Sequence, residues 1–411
     1  MRASSTNPSA SPAPGTKTFR ALPPGIWALG FVSMFMDISS ELVHSLLPIF
    51  MTTVLGASML TVGTIEGIAE ATAAITKVFS GTVSDYLGKR KLLAVLGYTL
   101  SAITKPVFPL ASGIGWVFAA RFVDRVGKGI RGAPRDALIA DLVPPPRRGT
   151  AYGLRQALDS AGAFIGPLLA VAFMLWLANN LKAVLWVAVA PAFLAVLLLV
   201  VAVREPEHSR RSAEQQNRVT LADMKRLGLR YWLIVVLGAV FTLARFSEAF
   251  LILRARDVGL AIGHVPLIMV AMNVVYATFA FPAGIAADRL SARTLLLLGL
   301  AVLIVADIAL ALSASPAPAF AGAALWGLHM ALTQGLLSKL VADTAPGPLR
   351  GTAFGIFNLV SGVSLLLASV VAGTLWEAFG AATTFVAGAA FATLAMIGLA
   401  LYRPAADSAR G

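Results

Sequence analysis

Residues 148–153 read RGTAYG and residues 350–355 read RGTAFG, at an offset of 202. In both places an Ala-Asp pair stands upstream, with the aspartate 7 residues before the arginine. A second match, GTVSD at 81–85 and GIAAD at 284–288, has an offset of 203. Two matches at nearly one offset predict that the chain contains the same structural unit twice.

The composition around these motifs is typical of a membrane protein. The chain has 411 residues, of which 58% are hydrophobic and 13% charged, and its mean hydropathy is +0.80. Soluble domains average about 45–50% apolar and about 25% charged residues, so the composition excludes a soluble globular enzyme. The absence of cysteine excludes disulfides, thiolate metal sites and a cysteine nucleophile. The net charge of +13 does not indicate nucleic-acid binding, because the basic residues fall in short loops and within apolar stretches.

Apolar segments long enough to cross a bilayer recur along the chain. A hydrocarbon layer of about 30 Å requires roughly 20 residues of helix, and the alternation that marks barrel strands is not seen. We therefore predict an all-α polytopic membrane protein. Its twelve predicted spans are 26–50, 61–83, 92–111, 116–142, 150–175, 183–203, 231–253, 264–286, 294–312, 319–341, 352–375 and 381–402.

The placement of lysine and arginine predicts the orientation of the spans. With the N-terminus inside, the cytoplasmic segments hold 20 of these residues and the outside loops hold 3. Cytoplasmic loops of membrane proteins are enriched in both. We therefore expect a multi-pass protein of the cytoplasmic (inner) membrane with both termini in the cytoplasm.

One long polar segment divides the spans into two groups of six. The N-terminal region lacks the apolar core of a signal peptide and is rich in Ser, Pro and Ala, which predicts a disordered tail. The predicted divisions are a tail at 1–24, a six-helix bundle at 25–203, a cytoplasmic linker at 204–230, a second six-helix bundle at 231–403 and a tail at 404–411.

A family resemblance follows from three motifs. The stretch GTVSDYLGKRK at 81–91 is similar to the loop between the second and third helices of major facilitator superfamily transporters. Arg121 stands where that family has a buried arginine in its fourth helix, whereas Arg125 stands where the family pattern has glycine. A fifth-helix pattern that the family associates with drug:proton antiporters is matched by Gly162, Gly166 and Pro167. The resemblance covers residues 25–402 and implies twelve helices in two pseudo-symmetric six-helix bundles, with alternating access driven by an ion gradient.

The loop motif suggests a gate. A helix N-terminus favours an anion, so we expect Asp85 to cap a helix of the opposite half and to pair with an arginine there, which would lock the outward-open state. The alternative is that the basic residues of the loop only fix the topology. The gating-loop candidates are Gly81, Asp85, Gly88, Lys89, Arg90, Asp288 and Arg289.

Four carboxylates in the first two spans are the candidates for proton coupling. Charged groups within a span normally face a cavity or a partner. Asp37 and Glu41 share one helix face, as do Glu66 and Glu70, because each pair is separated by four residues. The alternative is that these acids neutralise the arginines of the fourth span and hold the first bundle together.

A further set of polar residues within the spans is predicted to line a substrate cavity. The repeat places Glu41 and Glu248 at equivalent positions, and it aligns Glu70 with Asn273. Two alternatives stay open, since Arg155 with Asp159 and Arg245 with Glu248 are spaced to pair with each other, and a lone histidine in an apolar helix is usually a packing residue. The cavity candidates are Arg125, Arg155, Asp159, Arg245, Glu248, Asn273, Tyr276, His329 and Gln334.

These observations predict a proton-coupled secondary active transporter that exports a small amphipathic molecule by alternating access. One alternative is a proton-driven importer of an anionic metabolite or metal–chelate, and a second is a divalent metal transporter. No catalytic constellation indicates an enzyme. We expect no cofactor, no resident metal and no nucleic-acid partner. The expected partners are the substrate, protons and the lipid bilayer, and the expected oligomeric state is a monomer.

Overall fold

The computed structural model describes residues 22–205, 227–346 and 349–402. Within those ranges every regular element is a helix. The predicted tails fall almost entirely outside the described residues, as does most of the predicted linker.

The helices of the N-terminal half follow one another through short turns. Ser58 begins the second helix, where its hydroxyl accepts the N–H of Thr61, and Gly88 ends it with φ +57°. That left-handed conformation favours glycine. The α-helices are α1 Pro24–Ile49, α2 Met59–Leu87, α3 Arg90–Thr104, α4 Val107–Leu110, α5 Ile114–Leu142, α6 Arg148–Trp176, α7 Leu181–Val187 and α8 Val189–Ala202.

The C-terminal half repeats the six spans of the N-terminal half, whose own breaks lie between α3 and α4 and between α7 and α8. The chain unwinds between α9 and α10 and again between α13 and α14. The helices are α9 Leu229–Leu243, α10 Ala249–Asp257, α11 Leu267–Arg289, α12 Ala292–Leu312, α13 Pro316–Thr333, α14 Leu336–Thr344, α15 Arg350–Phe379 and α16 Ala381–Leu401.

The predicted spans coincide with these helices to within 4 residues at each end. Four of the predicted spans contain a break in the helix, which the sequence did not predict: 92–111, 183–203, 231–253 and 319–341. Among the described residues, 8 helical stretches are long and apolar enough to cross a membrane. The other four predicted spans are those of α2 and α5, which carry carboxylates and cations, and the broken spans 231–253 and 319–341. The class of all-α polytopic membrane protein holds, and the count of twelve spans stays a prediction.

Helix bounds and side-chain contacts both show the internal repeat. Ile114–Leu142 in the first half corresponds to Pro316–Thr344 in the second, at an offset of 202 at both ends. At the start of α3, Lys91 Nζ donates to Val200 O at 2.8 Å. Its repeat equivalent Arg293 donates to Leu399 O at 3.1 Å, near the end of α16. The same side-chain hydrogen bond between the third and sixth spans therefore occurs in each bundle.

Apolar packing joins the two halves at one face of the bundle. We call the side where α1 begins and α16 ends the terminal face. The hydrophobic cluster shared by both halves takes all its N-terminal-half residues from the opposite face, at or next to helix ends such as 42–49 of α1. At the terminal face, one cluster contains only N-terminal residues and another contains only C-terminal residues. Apolar packing between the halves is therefore concentrated at the opposite face, whereas towards the terminal face α2 and α15 still meet, with a Cβ at Gly355 3.4 Å from Val78 Cγ1.

Glycines allow the closest helix approaches. A Cβ at Gly162 would lie 2.6 Å from Met34 O, and one at Gly166 would lie 2.8 Å from Ile38 O, so these glycines let α6 lie against α1. Between the halves, a Cβ at Gly63 of α2 would lie 2.2 Å from Ser369 O of α15.

Candidate functional site

A cavity of about 560 Å³ lies between the halves, at the middle of the helices. The N-terminal half supplies most of its charges, and the C-terminal half supplies most of its aromatic rings. Both helix interruptions of the C-terminal half open on it. Its charged, polar and aromatic lining residues include Glu41, His44, Glu70, Arg125, Lys128, Phe241, Arg245, Phe246, Glu248, Asn273, Tyr276, Trp326, Gln334 and Phe357.

The break between α9 and α10 exposes backbone at the depth of the cavity. Residues 245–247 have no helical conformation, and the break places Arg245 and Glu248 on the cavity wall. The N–H of Ser247 donates to Ser369 Oγ at 3.2 Å. The Oγ of Ser247 accepts a hydrogen bond from the N–H of Ala249 at 3.2 Å. Non-helical backbone inside a membrane protein is tolerated where such partners or a cavity satisfy it, and broken helices are a feature of transporter substrate sites.

The break between α13 and α14 is built differently. Gly335 has φ +75°, a conformation that favours glycine. The turn points Gln334 towards α11, where its Oε1 accepts a hydrogen bond from the Tyr276 hydroxyl. Asn273 lies one turn away on α11, and its Nδ2 donates to Ala163 O of α6 at 3.2 Å. The predicted candidates Asn273, Tyr276 and Gln334 are thus brought together.

Ion pairs join α2, α3 and α5 beside the cavity. Arg121 donates to Glu66 from Nε at 3.1 Å and from Nη2 at 2.6 Å. Lys105 contacts Asp124 at 3.0 Å, and all four of these groups are buried. Forked arginine–carboxylate geometry is the strong form of such a pair. The interpretation that the acids neutralise the arginines of the fourth span therefore describes Glu66.

Glu70 and Arg125 form a pair that reaches the cavity. Their closest atoms are 3.2 Å apart, and the Glu70 side chain is 30% exposed whereas that of Glu66 is fully buried. Glu41 Oε2 lies 3.6 Å from His44 Nδ1, also on the cavity wall. The repeat equivalents Glu41 and Glu248 both face the cavity, as predicted from their positions.

Three charged groups of the cavity have no ion pair with any described residue. Lys128 is exposed to the cleft. Arg245 and Glu248 are half-buried, and the structure does not join them in the ion pair that their spacing suggested. The cavity therefore presents one unpaired cation from each half and one unpaired carboxylate.

Other candidates lie away from this cavity. Arg155 donates to Asp159 at 2.6 Å, so these two residues pair with each other, and neither lines the cavity. Asp37 is half-buried against Gly162. His329 is fully buried, and its Nδ1 lies 2.8 Å from Gly299 O, which is the position of a packing residue.

Among the gating-loop candidates, Arg90 has a described ion pair within its own half. Arg90 is hydrogen-bonded to Asp141 of α5, whose Ala-Asp motif repeats at 342–343. The side chain of Asp85 lies outside the described part of the structure, so its predicted capping role stays a prediction. Asp288 and Arg289 are exposed at the end of α11, and Lys89 is exposed before α3.

Sequence reasoning missed two residues of interest. Lys128 lines the cavity but was not among the predicted cavity candidates, although Gly127 and Gly129 on either side of it indicate close helix packing. Asp307 of α12 was not considered, although it is the one acidic residue in the run 294–312.

Comparison with known proteins identifies the family. The sequence model of the Major Facilitator Superfamily matches residues 29–253 and 246–411. The chain belongs to this superfamily. An MFS-type transporter of Methanocaldococcus jannaschii is 33% identical over 367 residues, which covers 87% of this chain and 90% of that protein. The quinolone resistance protein NorA of Staphylococcus aureus is 24% identical over 218 residues, which covers 53% of this chain and 54% of NorA.

Solved structures show the same fold at low sequence identity. The nucleoside transporter NupG, as a D323A mutant, aligns with a TM-score of 0.77 at 14% identity over 91% of this chain and 98% of its own. A bacterial homologue of the lysosomal transporter Spinster, in an inward-facing and occupied conformation, aligns with a TM-score of 0.75 at 17% identity over 94% and 97% of the two chains. Because the chain belongs to the Major Facilitator Superfamily, the protein is a multi-pass membrane transporter of small molecules and not an enzyme.

Proposed function

We propose that this superfamily member is a proton-coupled secondary transporter that moves a small amphipathic molecule by alternating access. The observation that carries the proposal is the position of Glu41 and Glu70, which both reach the cavity from the N-terminal half. A carboxylate on the wall of a water-accessible cavity can exchange protons with whichever side the cavity faces. Glu66, which is sealed against Arg121, lacks that access.

The substrate surface is supplied mainly by the C-terminal half. Phe241, Phe246, Tyr276, Trp326 and Phe357 give the cavity an apolar, aromatic wall. Such a wall fits a flat, apolar part of a substrate, and the few polar groups among the rings fix the orientation of the substrate. This division supports an amphipathic substrate, with proton chemistry in one half and substrate contacts in the other.

The direction that we propose is export. The excess of basic residues in the loops next to the terminal face supports a cytoplasmic position for that face. The Gly162-Gly166-Pro167 pattern and the partial similarity to a quinolone resistance protein both favour efflux. We further propose a location in the cytoplasmic membrane and a monomeric protein.

Import of an anion is the second candidate. It is favoured by Lys128 and Arg245, the two cavity cations that are without an ion pair among the described residues. A divalent metal as substrate is not favoured, since the described residues contain no group of three His, Asp or Glu side chains placed to hold one.

Proteoliposomes loaded with a pH-sensitive dye test the coupling. An imposed pH gradient should collapse faster when ethidium, a cationic amphipathic probe, or taurocholate, an anionic one, is added. Acceleration by ethidium supports export of amphipathic cations, and acceleration by taurocholate supports the anion. Glu41→Gln and Glu70→Gln should each be compared with wild type, and at least one should abolish the acceleration. Transport of either probe that ignores both the pH gradient and the membrane potential would overturn the proposal.

A further inference from the structure

Asp307 is a buried carboxyl group without a partner. It lies in the apolar helix α12 and is fully buried, and neither of its oxygens accepts a hydrogen bond from any described residue. The equally buried Glu66 and Asp124 have Arg121 and Lys105 as cationic partners. An ionised carboxylate is unfavourable in an apolar interior unless it is paired. Buried polar atoms without partners in native proteins therefore call for a functional explanation.

The surroundings of Asp307 contain no counter-charge. A Cβ at Gly388 of α16 would lie 2.7 Å from Asp307 Oδ2, so the glycine leaves room for the carboxyl group. Two other buried polar atoms without a described hydrogen-bond partner, Trp326 Nε1 and His329 Nε2, belong to the adjacent helix α13. From the break between α9 and α10 comes Phe246, next to Arg245. No ion pair joins Asp307 to His329 or Arg245 in the described structure.

Phe246 lies next to this carboxyl group and also lines the cavity. A Cβ at Gly388 would also lie 3.0 Å from Phe246 Cε1, so the Phe246 ring is adjacent to Asp307. Phe246 and Trp326 line the cavity, whereas Asp307 does not. The Phe246 ring also packs on Trp326, with ring centroids 5.3 Å apart. Because Phe246 sits in the unwound segment 245–247, a shift of that segment would move the ring and admit water to the carboxyl group.

We propose that Asp307 is a second proton-binding site, in the C-terminal half, covered by Phe246. In the conformation described here the carboxyl group holds its proton as a neutral acid. When the break between α9 and α10 moves, the O–H bond breaks, the proton passes to cavity water, and a carboxylate remains. Uptake is the reverse, and no electron transfer is involved. The inference rests on the proposed proton coupling. It adds a proton-binding site in the C-terminal half that the internal repeat does not duplicate in the N-terminal half.

Infrared spectroscopy of the purified full-length protein tests the site without a known substrate. The carbonyl band of protonated carboxylic acids should be compared at neutral pH in wild type, Asp307→Asn and the control Asp343→Asn, whose parent side chain is exposed on α14. We expect Asp307→Asn to remove one band component and Asp343→Asn to remove none. An unchanged band in a well-folded Asp307→Asn protein overturns the proposal.

Hydrogen–deuterium exchange of the same band tests the role of Phe246. In wild type the Asp307 component should shift slowly after transfer to D₂O, because the ring excludes water. Phe246→Ala should speed the shift at least about tenfold, and an equal rate in both proteins would exclude a covering role for the ring.

Dye-loaded proteoliposomes separate this proposal from the coupling on which it rests. If wild type fails to couple either probe to the pH gradient, the proposed function fails, whatever the infrared result. If wild type couples and Asp307→Asn couples equally well with an unchanged band, only the second site is excluded.

Discussion

Glu66 and Glu70 lie one helical turn apart on α2, yet their surroundings differ. Glu66 is fully buried and holds Arg121 through two hydrogen bonds. Glu70 is 30% exposed and meets Arg125 through one contact of 3.2 Å. The same residue type therefore serves structure at one position and remains available to solvent at the next.

A glutamine at position 66 should destabilise the protein more than a glutamine at position 70. Glu66→Gln leaves the Arg121 charge buried without a counter-ion, a change that costs about 3–5 kcal/mol of unfolding free energy in buried pairs. Glu70→Gln also removes a counter-ion from a buried arginine, since the Arg125 side chain is 4% exposed, but the carboxylate lost is 30% exposed and makes one contact instead of two, so its cost should be the smaller of the two. Thermal unfolding in detergent measures both variants, and equal losses would contradict this division of roles.

Sequence could predict much of the site at the level of residues. Glu41, Glu70, Arg125, Arg245 and Glu248 were found because a charge within an apolar span needs a cavity or a partner. The same rule cannot tell a cavity from a partner, which is why Arg155 was also selected although it pairs with Asp159. Whether a charged side chain faces the cavity or a partner depends on how neighbouring helices are rotated about their axes. A single sequence does not give those rotations.

At the level of elements, helix ends were predictable but helix breaks were not. Apolar length fixes where a span begins and ends. The break at 245–247 contains no proline or glycine, and it is held by the Ser369 hydroxyl from a helix more than 120 residues away in the chain. Gly335 was a signal for the second break, but glycines are common in membrane helices that are not broken.

One contact at the opposite face links elements of the two halves. Glu377 of α15 accepts the N–H of Leu60 at 3.1 Å, in the first turn of α2. A carboxylate at a helix N-terminus contributes about 0.3–1 kcal/mol. The contact therefore stabilises the conformation that is closed at this face.

Glu377→Gln should shift the protein towards opening at that face by roughly two- to fivefold in population, the factor that 0.3–1 kcal/mol represents. Because the chain has no cysteine, spin labels at Lys182→Cys and Arg256→Cys report the distance between the halves without background. Ser58→Ala is the matched control, since the Ser58 hydroxyl caps the same helix from within it. A shift of equal size in both variants would show that helix stability alone is responsible.

At the scale of the whole molecule, the repeat was predictable and the state was not. The 202-residue offset in the RGTA(Y/F)G motif reappears in the bounds of α5 and α13–α14, because both copies meet the same packing requirements. Which face is closed depends on small free-energy differences between two packings of the same helices. The sequence motifs are the same in both conformations. The conformation is read instead from the hydrophobic clusters, one of which contains residues of both halves while the other two contain residues of a single half.

Alternating access requires α2 and α15 to move against each other, and a disulfide between them should stop transport. A Cβ at Gly362 would lie 3.4 Å from the Ala74 Cβ, close to the Cβ separation of natural disulfides, about 3.5–4.5 Å. Oxidation of the double variant Ala74→Cys/Gly362→Cys should reduce transport of the coupled probe to background, and reduction should restore it. The pair Gly81→Cys/Ala133→Cys has a similar separation of 3.6 Å but lies within one half, so its oxidised and reduced forms should transport equally. Transport that persists after complete oxidation of the first pair would exclude rocking of the halves about this interface.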